Sequence, residues 1–244
     1  MLARRSTVVR SAEEEGRPQL ITPAMELTTG FVLDDRGRIV STREPQASHG
    51  PLFTILRSST ESAWAVHRDV PEELAEQIAV LARQEPPVRD LQAAPVYAAE
   101  YLSLTGGRPG FAGPAFLFPE TLVSTASLVV VDDERQLQRN FRGWELGEIS
   151  AGRAPVLAVM EDGFPVSICF CARRSDTAAA AGLETAEAYR GRGLGPRVTA
   201  AWAMAVRATG RVPLYSAAWS NEPSLAVARK LGLTAHASFW SVSE

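Results

Sequence analysis

The sequence predicts an α/β fold of the mixed-sheet kind, and three observations predict it. Residues 179–208 read as strand, loop and helix. A small and apolar run ends in Leu183-Glu184-Thr185, a loop carries Gly191, Gly193 and Gly195, and Val198, Trp202, Ala205 and Val206 then recur at helical spacing. An apolar run over 212–219, a short helix and an apolar run over 235–242 follow. Upstream, Asp162-Gly163 sits between the apolar runs 155–160 and 164–171, the strongest hairpin signal in the chain. Antiparallel strands followed by strand–helix–strand–helix–strand make a mixed sheet with helices packed on it.

Taken in order, residues 1–16 pair arginines with Glu13-Glu14-Glu15 and lack the apolar core of a secretory signal, so they read as a flexible arm. Residues 31–40 read as two short strands around Asp34-Asp35-Arg36-Gly37, and 52–57 with 63–67 as a second pair around Ser58-Ser59-Thr60. A helix is expected after Asp69, which is placed to cap it, with Pro71 in its first turn. Leu74, Ile78, Val80 and Leu81 form its apolar stripe, and Glu85-Pro86-Pro87 stops it. A second helix is expected over 96–104, ending at Gly106-Gly107. The Gly- and Pro-rich stretch 107–119 reads as a linker or an irregular segment. Residues 122–131 read as a strand. Residues 134–149 read as a helix with Leu137, Phe141, Trp144 and Leu146 available to pack. Glu161 and Asp162 are explained by the turn between the two hairpin strands.

Composition narrows the function. The chain has 244 residues, 45% of them hydrophobic, enough for a substantial core. A net charge of −3 gives no electrostatic footprint for nucleic acid or an anionic membrane, and no stretch is apolar enough to span a bilayer. Cys169 and Cys171 lie two apart in an expected strand, so both face one way. They read as reduced thiols of a cytoplasmic protein rather than as a disulfide or a metal site. His49, His67 and His236 are scattered and show no ligand spacing, so no metal is expected.

The chemistry is concentrated at Arg190-Gly191-Arg192-Gly193-Leu194-Gly195. The first amides of a helix have no partner inside it and carry the positive end of its dipole, so a glycine loop entering a helix accepts an anion. Glycine allows close backbone approach and positive φ; Arg190 and Arg192 add charge. A tight turn with solvated arginines is the competing reading. The absence of Lys-Ser/Thr after the glycines argues against a P-loop, and the spacing is not that of a dinucleotide fold.

At these residues the sequence resembles the GNAT superfamily of N-acetyltransferases. The resemblance is carried by Arg190-x-x-Gly193-x-Gly195 between strand and helix, then the 212–219 strand, Ser220-Asn221-Glu222-Pro223-Ser224, and Lys230-Leu231-Gly232-Leu233. It covers residues 154–244 well. It implies a mixed, mostly antiparallel sheet of GNAT type over 116–244, preceded by an additional α+β region over 17–115. No internal repeat is visible, and whether that region is a degenerate copy of the same fold stays open.

The resemblance implies direct acetyl transfer from acetyl-CoA to an amine. The pyrophosphate would sit on the amides of Arg190, Gly191, Arg192, Gly193, Leu194 and Gly195. Pantetheine would lie where the strand ending at Thr185 splays from the 212–219 strand, with amides near Leu183 and Thr185 available to hold the acetyl oxygen. Asn221 and Ser224 are candidate cofactor contacts, with helix capping as the alternative. Three departures stand out. Ala228 occupies the place where many members carry a tyrosine acid, which leaves Ser224 and Tyr215 as substitutes or the thiolate to depart unprotonated. Only one strand follows Gly232 where the family usually has two, so the N-terminal half or a second subunit would complete the edge. Glu184-Thr185 looks like the branch whose strand glutamate acts as base, which includes the glycine N-acyltransferases.

Glu184 is therefore the candidate base, with Gly182 expected to leave space beside it; a structural pairing with Arg173, Arg190 or Arg192 is the alternative. The expected activity is acetyl transfer to a small amine or amino-acid-like acceptor in the cytoplasm, with a CoA-binding regulatory module as the second reading. A homodimer is a further expectation.

Overall fold

The computed structural model describes residues 21–122 and 128–244. The expected arm and half of the expected 122–131 strand, residues 123–127, fall outside these residues. A nine-stranded sheet runs through the molecule in the order β4-β3-β11-β5-β10-β9-β8-β7-β6, beside a separate β1-β2 hairpin. Among the described residues β9 and β10 are the one parallel pair, and every other neighbouring pair is antiparallel.

In chain order, α1 (Pro23–Gly30) leads into β1 (Phe31–Leu33) and β2 (Ile39–Thr42), then β3 (Phe53–Ser58) and β4 (Ser62–Val66). Helix α1 escaped the sequence reading. It is short, capped by the Thr22 hydroxyl on the Met25 amide, and carries Glu26 into the interior, which blurs its apolar face. The expected strand pairs are present. Helix α2 (Glu72–Gln84) follows, but Asp69 does not cap it: its carboxylate is engaged by His49, and Pro71 takes the cap position without a side-chain bond. Its buried stripe is Ala75, Ile78 and Ala82, while Val80 is exposed. Helix α3 (Ala98–Thr105) ends at Gly106 in the left-handed region, as expected from the glycine pair.

The stretch read as a linker is instead β5 (Arg108–Leu117), a central strand between β11 and β10. Its glycines serve close approach rather than flexibility: a Cβ on Gly113 would lie 1.9 Å from the Ala217 carbonyl oxygen. β5 runs across positions 115 and 116 without a break, so the N-terminal region and the C-terminal part share one sheet. It also takes the place beside β10 that a second strand after Gly232 would fill, so the N-terminal half completes the sheet.

After β6 (Val129–Val130), no continuous helix forms over 134–149. Residues Glu134–Gln136 make one 3-10 turn, Gly147 has φ 98°, and a wide turn covers Ile149–Arg153. The Glu134 carboxylate binds the amides of Gly147 and Ile149, folding the segment back on itself. Leu137, Phe141 and Trp144 are buried nonetheless, and Leu146 is exposed. The apolar spacing thus predicts burial for three of its four residues but not the helix, because a carboxylate–amide clamp and glycine turns satisfy the backbone instead.

β7 (Leu157–Glu161) and β8 (Phe164–Arg174) meet at Asp162 and Gly163, both with positive φ, the turn that Asp-Gly favours. Then come β9 (Ala178–Thr185), α4 (Leu194–Ala208), β10 (Val212–Ser216), α5 (Glu222–Lys230) and β11 (Thr234–Ser243). Alternation assigns the faces. Cys169, Cys171, Ala181, Leu183, Tyr215 and Ala217 pack toward α4 and α5 with Val198 and Trp202. Ile168 and Phe170 face Leu137, Phe141 and Trp144, and Ala180 and Leu214 face Met25 of α1. Helices α4 and α5 thus cover one face, and α1 with the 132–153 segment the other. Both cysteines are free and buried.

Candidate active site

The parallel pairing of β9 and β10 joins Val212–Leu214 to Ala178–Ala180. Beyond it Tyr215 and Ser216 pair with Phe116 and Ala115 of β5, while Ala181–Thr185 stay paired to β8. The two strands therefore part, and the edge of β9 toward β10 is unpaired over 181–185 among the described residues. This is the opening expected beside the loop, and an extended chain of amides can add to such an edge.

At the end of β9 the loop turns into α4. Gly191 and Gly193 have φ 77° and 74°, and Gly193 caps α4 with no side-chain bond to its amides. A Cβ at either glycine would meet nothing within 4 Å, so the surface around the loop is open. These features fit a phosphate group: bare amides, positive dipole end, free approach. The two arginines are partly committed to holding the loop. Arg192 binds Glu161 through two bonds of 2.6 and 3.1 Å, and Arg190 Nε donates to the Thr185 carbonyl at 3.1 Å. Glu161 is thus more than a turn residue. Leu194 is buried as the first helical residue, and Gly195 gives α5 room: a Cβ there would lie 3.3 Å from Val227.

Asn221 adopts the capping role, its Oδ1 accepting from the Ser224 amide at 3.1 Å. The Ser224 carbonyl accepts from the Tyr215 hydroxyl at 3.1 Å, and burial pushes that phenol up to about 12. A cavity of about 500 Å³ lined by Pro114, Phe116, Trp219, Leu225 and Arg229 lies beyond β10 from the opening, so it is not the parted-strand site.

Glu184 pairs with Ile168 and Gly182 with Phe170, which puts both on the face covered by the 132–153 segment, opposite α4. The expected space at Gly182 is absent: the Phe170 ring fills it, and a Cβ there would lie 2.4 Å from that ring. Nor do the expected structural partners of Glu184 hold it. Arg173 binds Glu44, and Arg190 and Arg192 serve the loop. Its charged neighbours are Arg153 and Glu148. Glu184 is exposed, yet loss of water around the carboxylate raises its pKa; Arg153 opposes that shift and Glu148 adds to it. Arg153 itself lies over the Phe170 ring at 4.7 Å and pairs with the buried Glu148 at 3.4 Å. Neither residue was singled out from sequence, because the segment that presents them was read as a helix.

The same face carries Glu26 of α1, buried, with its Oε1 3.4 Å from Nε2 of His236. Burial raises the Glu26 pKa, and His236 opposes the shift. His236 is the extra residue of a bulge in β11, between Ala235 and Ala237. The reading of scattered histidines is corrected for the other two: the rings of His49 and His67 stack 3.7 Å apart beside Asp69.

The candidate site is thus a strand, a glycine loop and the uncapped start of a helix beside two parted parallel strands. Residues 132–239 match the family model described as GNAT acetyltransferase. No curated protein matches the sequence. Among solved structures, a protein described as a GNAT-family acetyltransferase from Novosphingobium aromaticivorans is 21% identical, with 56% of this chain and 66% of that chain covered and a TM-score of 0.45. A GCN5-related N-acetyltransferase from Sphaerobacter thermophilus is 13% identical over 87% of this chain and 78% of its own, with a TM-score of 0.48. A tandem GNAT protein from the clavulanic acid biosynthesis pathway is 15% identical over 72% of each chain, with a TM-score of 0.47.

Proposed function

We propose that the protein is an acetyl-CoA-dependent N-acetyltransferase that passes an acetyl group directly to a small amine or amino-acid-like acceptor. The observation that carries this reading is the parting of β9 from β10 beside the uncapped start of α4. The family match over 132–239 supports it. Acetyl-CoA supplies the activated acetyl group as a thioester. The amides of residues 191–195 bind its pyrophosphate, and the unpaired edge of β9 around Leu183 and Thr185 binds the pantetheine arm and the acetyl oxygen. Glu184 takes the proton that the acceptor ammonium must lose. This use of a strand glutamate follows the glycine N-acyltransferase-like branch. Asn221 and Ser224 border the cofactor at the start of α5. Tyr215, engaged by Ser224 on the α4 side, suits structure better than acid catalysis, and a thiol near ~8.5 departs without much help. The 132–153 segment forms the acceptor wall around Glu184.

The test is incubation with acetyl-CoA and a panel of primary amines, reading free thiol. Release above the amine-free control is expected. The buried Ala228 in the tyrosine place favours a second reading, a CoA-binding regulatory module; a CoA-induced rise in Tm without thiol release under any amine would select it.

Replacing Gly193 with Val places a β-branched residue at φ 74°, which L side chains adopt only with strain. CoA affinity should fall at least about tenfold with the far-ultraviolet circular dichroism retained. Unchanged affinity in titration calorimetry would remove the loop from the site.

Burial pushes the Cys171 thiol up to about 11 and Cys169 well above the usual range, so neither is a ready nucleophile. A double Cys169→Ala, Cys171→Ala variant should retain acetyl transfer. An acetylated cysteine found by mass spectrometry during turnover would instead mean a covalent route.

A further inference from the structure

Across the sheet from the parted strands lies a second group of chemically competent side chains. His49 stands in the loop before β3, His67 at the end of β4 and Asp69 just before α2. β4 is five strand spacings from β9, about 24 Å, so this group is independent of the transfer site. One ligand atom from each of the three lies within 4.8 Å of the others. His49 Nε2 is 2.9 Å from Asp69 Oδ2, and His67 Nδ1 is 3.6 Å from the same oxygen.

We propose that His49, His67 and Asp69 form a binding site for a divalent transition-metal ion, with zinc as the ion best suited to two imidazoles and one carboxylate. In a tetrahedral zinc site the bonds are about 2.0–2.2 Å long, so neighbouring ligand atoms lie about 3.4 Å apart. The observed 2.9 and 3.6 Å bracket that spacing. Two rings stacked at 27° cannot both hold one ion in their planes, so His49 must turn out of the stack; His49 and Asp69 are exposed and move, while His67 is wholly buried and fixed.

The hydrogen bonds set the tautomer of His67. The Asp69 amide donates to its Nδ1 at 3.2 Å, so Nδ1 carries the lone pair and faces the group. Metal binding exchanges that one bond for coordination. The other nitrogen, Nε2, is buried and has no partner among the described residues. An ion pair with Asp69 needs one imidazole, which His49 supplies; the second, buried ring adds a lone pair aimed at the same carboxylate. Behind His49, Nδ1 faces the Glu244 carboxylate at 3.8 Å, the kind of carboxylate that commonly orients a ligating histidine. Three protein ligands leave a fourth position toward solvent. The ion would join the loop before β3, the end of β4 and the approach to α2.

The experiment uses the full chain, freed of any histidine tag and stripped with chelator, titrated with zinc chloride in a calorimeter. One zinc ion per chain is expected, with a rise in Tm that chelator reverses. Cobalt(II) should give the intense visible absorption of a tetrahedral site. Loss of even an outer partner of a metal ligand weakens binding by about 10–100-fold, so His49→Ala and Asp69→Asn should each weaken zinc by more than tenfold. His236→Ala should leave it unchanged. Both site variants alter exposed side chains, and circular dichroism checks their fold. Substoichiometric binding, retention of affinity in the folded His49→Ala and Asp69→Asn variants, or an equal loss in His236→Ala would overturn the proposal.

Discussion

Glu184→Gln is expected to lower kcat by about 10²–10⁴ while acetyl-CoA affinity persists. The substitution keeps the size and shape of the side chain and removes its capacity to take a proton. An amine acceptor is mostly protonated near neutral pH and must lose that proton before it attacks. Glu184 lies on β9, on the face opposite α4, next to the unpaired edge where the acetyl group is placed by the proposal. Its pKa is raised from the ordinary value of 4.5, chiefly because protein atoms displace water around it, with Arg153 opposing. The sign follows. The base works only when ionised, so kcat/KM should fall as pH drops through this raised value, and the acidic limb should stand above the position of an ordinary glutamate. In Glu184→Gln that limb should flatten. Removing the Arg153 charge with Arg153→Gln removes an influence that favours the carboxylate, so the limb should move to higher pH. A Glu184→Gln variant with the parent rate and the parent pH profile would place the base elsewhere.

Trp202→Ala is expected to destabilise the protein by about 3–5 kcal/mol, the usual cost of emptying a buried aromatic site. Trp202 is 0% exposed at the centre of the cluster between α4 and the sheet, with Phe118 at 6.4 Å between ring centres. Such a loss should lower Tm by roughly 10 °C in a chain of this size. Its indole N–H makes no well-formed hydrogen bond among the described residues and has only the weak acceptor Cys171 beside it, so Trp202→Phe, which retains most of the ring, should cost much less. Thermal unfolding of the two variants measures the difference. Normal stability of Trp202→Ala with a changed acceptor preference would make Trp202 a substrate contact rather than a core residue.

Local signals in the sequence determined the elements that frame the candidate site. Asp162-Gly163 between two apolar runs specified the β7-β8 hairpin, because positive φ at both positions suits few other residues. Gly193 before the Val198–Trp202–Val206 stripe specified where α4 begins and which face it buries. Glu184 in a small apolar strand was legible as a charge needing a reason. The tertiary structure alone decided matters of long-range approach. Gly113 and its neighbours read as a linker, because nothing nearby in sequence shows that the Ala217 carbonyl will lie against them. Gly182 read as open space, because the ring that fills it belongs to Phe170 on the paired strand. Glu148 and Arg153 reach Glu184 only because the Glu134 carboxylate folds their segment back over β8. His49 and His67, 18 positions apart with no ligand spacing, stack because the loop before β3 and the end of β4 close at one corner of the sheet. Capping, turn chemistry and periodicity act within a few residues and can be read along the chain. Strand order, close backbone approach and the meeting of charges act across it, and burial of a shared core settles them.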